Sequence, residues 1–116
     1  ATDVTAVAHK RASALRLAAA LHPSAAVCGT PTSVARAAIA ELEGLDRGRY
    51  SGPVGWIDAR GDGEWAIALR CGVVSPDNPS EMRLFAGCGI VEGSNPDEEL
   101  AETKAKLVPM VSALLG

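Results

Sequence analysis

An Asp-Gly dipeptide between two strand-like segments is the feature that most restricts how this chain folds. Residues 60–63 (Arg-Gly-Asp-Gly) separate residues 50–58 from residues 64–74, and both flanking segments are rich in aliphatic and aromatic side chains. Asp-Gly in this setting is typical of a β-hairpin turn. The two segments are therefore predicted to be antiparallel neighbours. A third strand is predicted at residues 83–91, which makes the expected sheet an antiparallel meander.

Helices are predicted on both sides of this meander. Apolar residues at a spacing of i, i+3, i+4 and i+7 indicate a helix over residues 14–21. Thr30 as a cap and Gly44 as a stop signal predict a second helix between them. Asn95 caps a third helix, which is expected to run to about Leu115. With a weak strand at residues 4–8, the chain is predicted to be α+β, a single and partial domain over residues 1–116.

The apolar residues of this chain are mostly small. They make up 47% of the sequence, but 21 of the 116 residues are Ala and only four are aromatic, while Val, Ile, Leu and Phe together number 26. Small side chains bury little apolar area, at about 25 cal/mol per Å². The composition therefore predicts a chain that belongs to a larger core or needs a partner to cover it.

Charge and hydropathy exclude several classes of function. A net charge of −3 gives no basic footprint for nucleic acid, and no apolar stretch approaches the roughly 20 residues of a membrane span. The first residues, Ala-Thr-Asp, show no secretion-signal pattern. Three cysteines without a CxxC pair fit thiols in a reducing compartment, so a cytoplasmic location is expected.

The last predicted helix carries a narrow polar stripe of Glu99, Glu102 and Lys106. Two carboxylates one turn apart are suited to Mg²⁺, which prefers oxygen ligands and keeps several waters. A lysine one turn further on suits a substrate carboxylate. The alternative is a solvated face with an ordinary Glu102–Lys106 ion pair. The opposite, apolar face is predicted to pack, and it consists of Leu100, Leu107, Val111 and Leu114.

Two further features of the predicted strands suggest a ligand. Gly87 and Gly89 clear one face of the third strand, so that a ligand can approach the backbone, although taken alone they favour a bulge or a tight packing contact. Arg70 lies on a face that otherwise carries only small side chains, where its guanidinium suits a carboxylate. A surface ion pair is the alternative for Arg70. His9 and His22 have no nucleophilic partner in the sequence, so a structural role is the simpler interpretation.

These motifs, in this order, resemble the C-terminal part of the chorismate-utilising enzymes. Residues 21–29 (Leu-His-Pro-Ser-Ala-Ala-Val-Cys-Gly) resemble the isochorismate synthase branch in particular, where anthranilate synthase-type enzymes usually carry Gly-Ala-Pro-Lys nearby. The matching segments are residues 21–31, 41–43, 46–56, 61–70, 84–91 and 99–107.

The resemblance implies a Mg²⁺-dependent isomerase that converts chorismate to isochorismate for menaquinone or siderophore biosynthesis. In this family a lysine activates water and a glutamate protonates the departing hydroxyl, and both are expected upstream of this chain. No catalytic residue is therefore assigned here, and the isolated chain is expected to be inactive. The alternatives are part of an anthranilate, aminodeoxychorismate or salicylate synthase, or a non-catalytic domain that binds a carboxylate or a protein.

The resemblance also implies roles for individual residues. Glu102 matches a direct Mg²⁺ ligand and Glu99 a neighbouring acidic ligand. The partners implied are chorismate and either the remainder of the enzyme chain or a second copy. The residues implied to line the substrate pocket are His9, Ala26, Tyr50, Leu69, Arg70, Gly87, Gly89 and Lys106.

Overall fold

The computed structural model describes residues 3–8 and 10–116. Within them, helices flank short antiparallel strands, so the predicted α+β class is confirmed. In chain order the elements are α1 (Ala14–Leu21), α2 (Ala25–Cys28), α3 (Thr32–Leu42), β1 (Pro53–Ile57), β2 (Gly63–Ile67), β3 (Cys71–Val74), β4 (Met82–Phe85) and α4 (Pro96–Leu115).

The predicted hairpin is present. Strands β1 and β2 pair antiparallel, with Gly55 opposite Trp65. In the turn, Oδ1 of Asp58 accepts hydrogen bonds from the backbone N–H groups of Arg60 at 2.8 Å and Asp62 at 3.0 Å. The carboxylate therefore satisfies the turn's backbone donors, which would otherwise depend on water.

The prediction of a single long second strand over residues 64–74 is wrong, because two separate strands, β2 and β3, occupy this segment. The pairing of β2 with β1 extends to Ala68, whose N–H donates to the Gly52 carbonyl at 2.9 Å, and the chain then bends. Arg70 has φ of +47°, in the left-handed region, which breaks an extended strand. Cys71 starts a separate pairing, with Phe85 of β4. The meander is thus divided into two two-stranded sheets, and the third strand ends at Phe85 rather than at residue 91.

The two predicted N-terminal helices are present, with changes at their starts. The hydroxyl of Ser13 accepts the N–H of Arg16 at 3.3 Å and caps α1. The predicted cap of α3, Thr30, is wrong by one residue: Pro31 is extended, so the helix begins after it. Gly44 follows α3 with φ of +60°, as the stop signal predicted. The strand predicted at residues 4–8 is wrong, because that segment has no regular structure and its valines are exposed.

Helix α4 begins and ends where the sequence predicts. Oδ1 of Asn95 accepts the N–H of Asp97 at 3.0 Å, and acidic residues fill the first turn, where the helix dipole favours them. Pro109 lies inside the helix and has no N–H, so the carbonyl of Ala105 lacks its intrahelical donor. Within residues 3–8 and 10–116, no helix is both long and apolar enough to cross a membrane.

Little of the apolar surface is buried within this chain. Among the described residues, Cys28 and Phe85 are the buried apolar side chains. The face of α4 that was predicted to pack remains open, with Leu100 52% and Leu114 54% exposed. The radius of gyration is 16.8 Å, against roughly 13 Å for a compact domain of this length. The fold therefore leaves its apolar faces uncovered, as the composition suggests.

Candidate functional site

Residues from three segments of the chain meet where α4 contacts the segment after β4. We call this group the Lys106 corner, and it consists of Tyr50, Phe85, Gly87, Glu102 and Lys106. The ammonium of Lys106 lies 2.6 Å from Oε1 of Glu102 and donates to the Gly87 carbonyl at 3.0 Å. The Glu102–Lys106 ion pair is the one that the solvated-face interpretation predicts. The second bond, to a backbone 19 residues away, is not explained by a solvated face.

Tyr50 forms the opposite side of the corner. Its ring stacks on the buried Phe85, with 5.3 Å between centroids and 21° between planes. Its hydroxyl lies 2.8 Å from the point that a Cβ on Gly87 would occupy. Glycine at this position therefore leaves the space that the phenol fills. The structure brings Tyr50, Gly87 and Lys106 together from three segments of the chain.

Arg47 supports Tyr50 but is absent from the predicted site residues. Its guanidinium makes a bidentate pair with Glu43, with Nε–Oε2 at 2.6 Å and Nη2–Oε1 at 3.0 Å. Nη1 donates to the Val27 carbonyl at 3.1 Å, and the guanidinium carbon lies 5.8 Å from the centre of the Tyr50 ring. The hydrogen bonds to Glu43 raise the pKa of Arg47 above its ordinary value. The sequence signal for this residue is the i,i+4 spacing of Glu43 and Arg47 just before Tyr50.

The two predicted metal ligands lie one turn apart on α4. Glu99 is half-buried and lines an open cleft between the start of α4 and the segment after β4, together with Cys88 and Ile90. Glu102 is more exposed and is paired with Lys106. No cluster of three or more His, Cys, Asp or Glu side chains occurs in the described part of the chain. Two carboxylates are nonetheless a donor set suited to Mg²⁺, which commonly binds few protein oxygens and keeps its waters.

The remaining predicted site residues lie outside the Lys106 corner. Arg70 is exposed at the joint between β2 and β3, and no ion pair to it is seen among the described residues, so the surface ion pair considered for it is not formed there. Leu69 beside it is 52% exposed. Gly89 has open space where a Cβ would lie. Ala26 is an exposed residue of α2, next to the carbonyl that Arg47 binds. His9 lies outside the described residues.

Known proteins are similar to this chain in both sequence and fold. A family model described as chorismate binding enzyme matches residues 1–115. The isochorismate synthase DhbC of Bacillus subtilis (strain 168) is 52% identical over 101 residues, which are 87% of this chain and 25% of that protein. The vibriobactin-specific isochorismate synthase of Vibrio cholerae is 50% identical over 100 residues, covering 86% of this chain and 25% of that protein.

A crystal structure gives the same result. A Bacillus anthracis protein assigned as a 2,3-dihydroxybenzoate-specific isochorismate synthase superposes with a TM-score of 0.81 at 50% identity. The superposition covers 88% of this chain and 26% of that one. The chain therefore spans about a quarter of the length of the relatives that it matches.

Proposed function

Because this chain belongs to the family of chorismate-binding enzymes, we propose that it forms the substrate- and metal-binding part of an isochorismate synthase. In that role it takes part in the conversion of chorismate to isochorismate, for siderophore or menaquinone biosynthesis. The names of the relatives, which are isochorismate synthases from several bacteria, support this assignment.

The observation that carries the proposal is the position of Lys106. Its ammonium has three N–H donors. One faces Glu102 and one the Gly87 carbonyl, so a third remains for a substrate carboxylate. The side chain is 24% exposed, which lets a ligand reach it while limiting competition from water. We therefore assign Lys106 to a carboxylate of chorismate.

Other residues of the chain complete this pocket. The Tyr50 hydroxyl is a further donor, which lies against Gly87, and the stacking on Phe85 orients its ring. Gly87 leaves the space beside its backbone to the Tyr50 hydroxyl, which is thereby placed in the pocket wall. Arg70 has a guanidinium fork that matches a carboxylate and is not engaged by an acidic side chain among the described residues. We assign Arg70 and Tyr50 to the polar groups of chorismate that Lys106 does not hold.

Glu99 and Glu102 are proposed to hold Mg²⁺. Their hard oxygen donors, one helical turn apart, fit this ion. When bound, the cation would neutralise negative charge on a substrate carboxylate. The proton-transfer groups of the reaction are not assigned to any residue of this chain. Its own residues are proposed to bind and orient the substrate.

The chain is further proposed to work with the remainder of the family fold or, failing that, with a second copy of itself. The exposed apolar side chains of α4 and of both sheets support this proposal, because a further layer of protein would cover them. In relatives, about three quarters of the protein lies outside the matched region. The described cysteines are free thiols, which supports a reducing compartment such as the cytoplasm.

The decisive experiment is to identify the product. The natural protein that contains this chain should be incubated with chorismate, with and without Mg²⁺, and the products separated by chromatography and identified by NMR, since isochorismate has the same mass as chorismate. Mg²⁺-dependent isochorismate formation is the expected result. Anthranilate or aminodeoxychorismate formed with ammonia, or salicylate formed alone, would assign the protein to another branch. Binding of chorismate without turnover would favour the non-catalytic alternative.

The isolated 116-residue chain should not turn over chorismate. General acid–base steps contribute about 10²–10⁴-fold each, and this chain is assigned neither group. The same assay with the isolated chain tests this, and the longer protein is its positive control. Isochorismate formation at the rate of the longer protein would contradict the assignment of binding alone to this segment.

A further inference from the structure

We infer that Arg47 is a positioning residue for chorismate binding, which fixes Tyr50 and the Ala26–Val27 backbone relative to each other. This inference rests on the proposed function, because Tyr50 and Ala26 are both assigned to the substrate pocket. Arg47 itself is not placed against the substrate. It acts through the residues that are.

The contacts of Arg47 reach three parts of the chain. Glu43, just after α3, accepts two hydrogen bonds from the guanidinium, at 2.6 and 3.0 Å. The Val27 carbonyl in α2 accepts a third, at 3.1 Å. The guanidinium lies 5.8 Å from the centroid of the Tyr50 ring, within the range of a cation–π contact. The backbone also contributes, since the Tyr50 N–H donates to the Arg47 carbonyl at 2.8 Å.

These contacts differ from those of an ordinary surface ion pair. A Glu–Arg pair at i,i+4 needs only the two groups on one helix and stabilises that helix alone. Here the remaining donor is used by a carbonyl 20 residues away and the face of the cation by an aromatic ring. The Arg47 side chain is only 27% exposed, and that of Glu43 30%. A planar fork with several donors is required for this set of contacts, and lysine does not provide one.

Tyr50 transmits the effect to the Lys106 corner. Its ring contacts both the cation of Arg47 and the buried ring of Phe85. Its hydroxyl lies against Gly87, whose carbonyl binds Lys106. Loss of Arg47 removes the support on one side of the ring. The phenol can then move relative to Gly87 and Lys106, which misplaces the groups that bind the substrate.

Steady-state kinetics of the natural protein provide the first test. Arg47→Met should raise the KM for chorismate by about tenfold, with a smaller change in kcat, because misplacement of binding groups mainly weakens substrate binding. Arg47→Lys should behave similarly, because it keeps the charge and loses the fork. Arg36→Met is the matched control: Arg36 is exposed on α3, and this change should leave the kinetics unchanged. Full rescue by Arg47→Lys would overturn the inference.

A double-mutant cycle separates positioning from general destabilisation. If Arg47 acts by positioning the Tyr50 hydroxyl, Arg47→Met should raise KM much less in a Tyr50→Phe background than in the wild-type background. Equal effects of Arg47→Met in the two backgrounds would contradict the inference.

The second readout does not depend on the proposed function. Tyrosine-ring ¹³C labelling gives an NMR signal for Tyr50, assigned by its loss in Tyr50→Phe. Arg47→Met should shift this signal toward that of a solvated tyrosine, and Arg36→Met should not. An unchanged signal overturns the inference. If the signal shifts but the wild-type protein does not bind chorismate, the positioning of Tyr50 stands and the proposed function fails.

Discussion

The Lys106 corner and the β1–β2 turn are both held by charged side chains, but over very different sequence distances. In the turn, Asp58 bonds Arg60 and Asp62, so every partner lies within four residues. In the corner, Lys106 bonds a carbonyl 19 residues away, and Tyr50 stacks on a residue 35 positions further along the chain. One set of contacts is local, and the other joins distant segments.

Local contacts of the first kind shape a single element, whereas contacts of the second kind assemble a site from several elements. The Asp58 contacts form as soon as the turn forms, and they determine its conformation wherever the hairpin is placed. The Lys106 and Tyr50 contacts exist only when α4 and the β3–β4 sheet are already in place. Substitutions in the corner should therefore change function, whereas those in the turn should change local structure and little else.

The largest effect is expected at Glu102. Glu102→Gln keeps the oxygen but removes the charge, so magnesium-dependent turnover of the natural protein should fall by at least about 100-fold. Glu99→Gln should cost less, about tenfold, since Glu99 is assigned as the secondary ligand. Mg²⁺ titrations of activity measure both effects.

Glu98→Gln is the matched control for the metal site, because Glu98 lies on the same helix and is exposed. Its Mg²⁺ activation curve should match that of the wild type. If Glu102→Gln and Glu99→Gln also give wild-type Mg²⁺ activation curves, the metal-site assignment is wrong and the interpretation as a solvated helix face remains.

A substitution at Gly87 should damage the corner directly. Gly87→Ala places a Cβ 2.8 Å from the Tyr50 hydroxyl, and the stacked ring cannot move away freely. We expect a loss of about 1–3 kcal/mol in the free energy of unfolding, measured by denaturant titration. Gly89→Ala is the control, because nothing lies within 4 Å of its Cβ position. Equal stability of the two variants would show that Tyr50 does not occupy this space.

Removal of the Lys106 side chain should have a smaller and more specific effect. Lys106→Ala should raise the KM for chorismate by about tenfold, because it removes one hydrogen bond to a charged group of the substrate. The affinity for Mg²⁺ should change little. Lys104→Ala, an exposed lysine on the same helix, should leave KM unchanged. If both variants behave alike, Lys106 has no special place in substrate binding.

The smallest effect is expected from the turn, and it depends on pH. Desolvation raises the pKa of Asp58, but the hydrogen bonds donated by Asp62 and Arg60 together lower it by a larger amount. The pKa therefore lies below the ordinary value of 3.8. The charged form is the one the fold favours. Its contribution is therefore present above pH 3.8 and is lost as the pH falls through the lower, folded-state pKa.

The amide signals of Arg60 and Asp62 report this titration by NMR. Their midpoint should lie below 3.8, and Asp58→Asn should abolish it while leaving turnover unchanged. A midpoint at or above 3.8 would mean that the carboxylate does not hold the turn.

The parts of the fold that could be predicted from sequence are those with local causes. Asn95 as a cap, Gly44 as a stop and the β1–β2 hairpin each depend on a few adjacent residues, and each is present. The turn itself is formed by residues 58–62, because Gly63 of the Asp-Gly dipeptide already pairs with Ile57.

The division of the second strand could not be predicted, because, apart from Arg70, larger and smaller side chains alternate from Trp65 to Gly72 without a sign of a break. Arginine is not a residue type that signals a bend, although Arg70 adopts a left-handed conformation. The composition predicts uncovered apolar surface, but it does not identify which face stays open. That this includes Leu100 and Leu114 of α4 is seen only in the structure.

The same distinction applies to the site. The helical period places Glu99, Glu102 and Lys106 on one face from sequence alone. It does not indicate that Lys106 reaches Gly87 or that Arg47 lies over Tyr50, since both contacts require the tertiary fold. The resemblance to the family implies that Tyr50 and Gly87 belong to one pocket, and the spacing of these residues in the sequence does not reveal that they lie close together.

Pro109 affects how the C-terminal end of α4 unwinds. Because the carbonyl of Ala105 has no intrahelical donor, the hydrogen-bond ladder is interrupted at Pro109, nearly two turns before the helix ends at Leu115. The terminal segment after Pro109 can therefore unwind, and exchange its amide protons, without first breaking the bonds around Glu102. We therefore expect the turns that carry the charged stripe to be protected from fraying at the C-terminus.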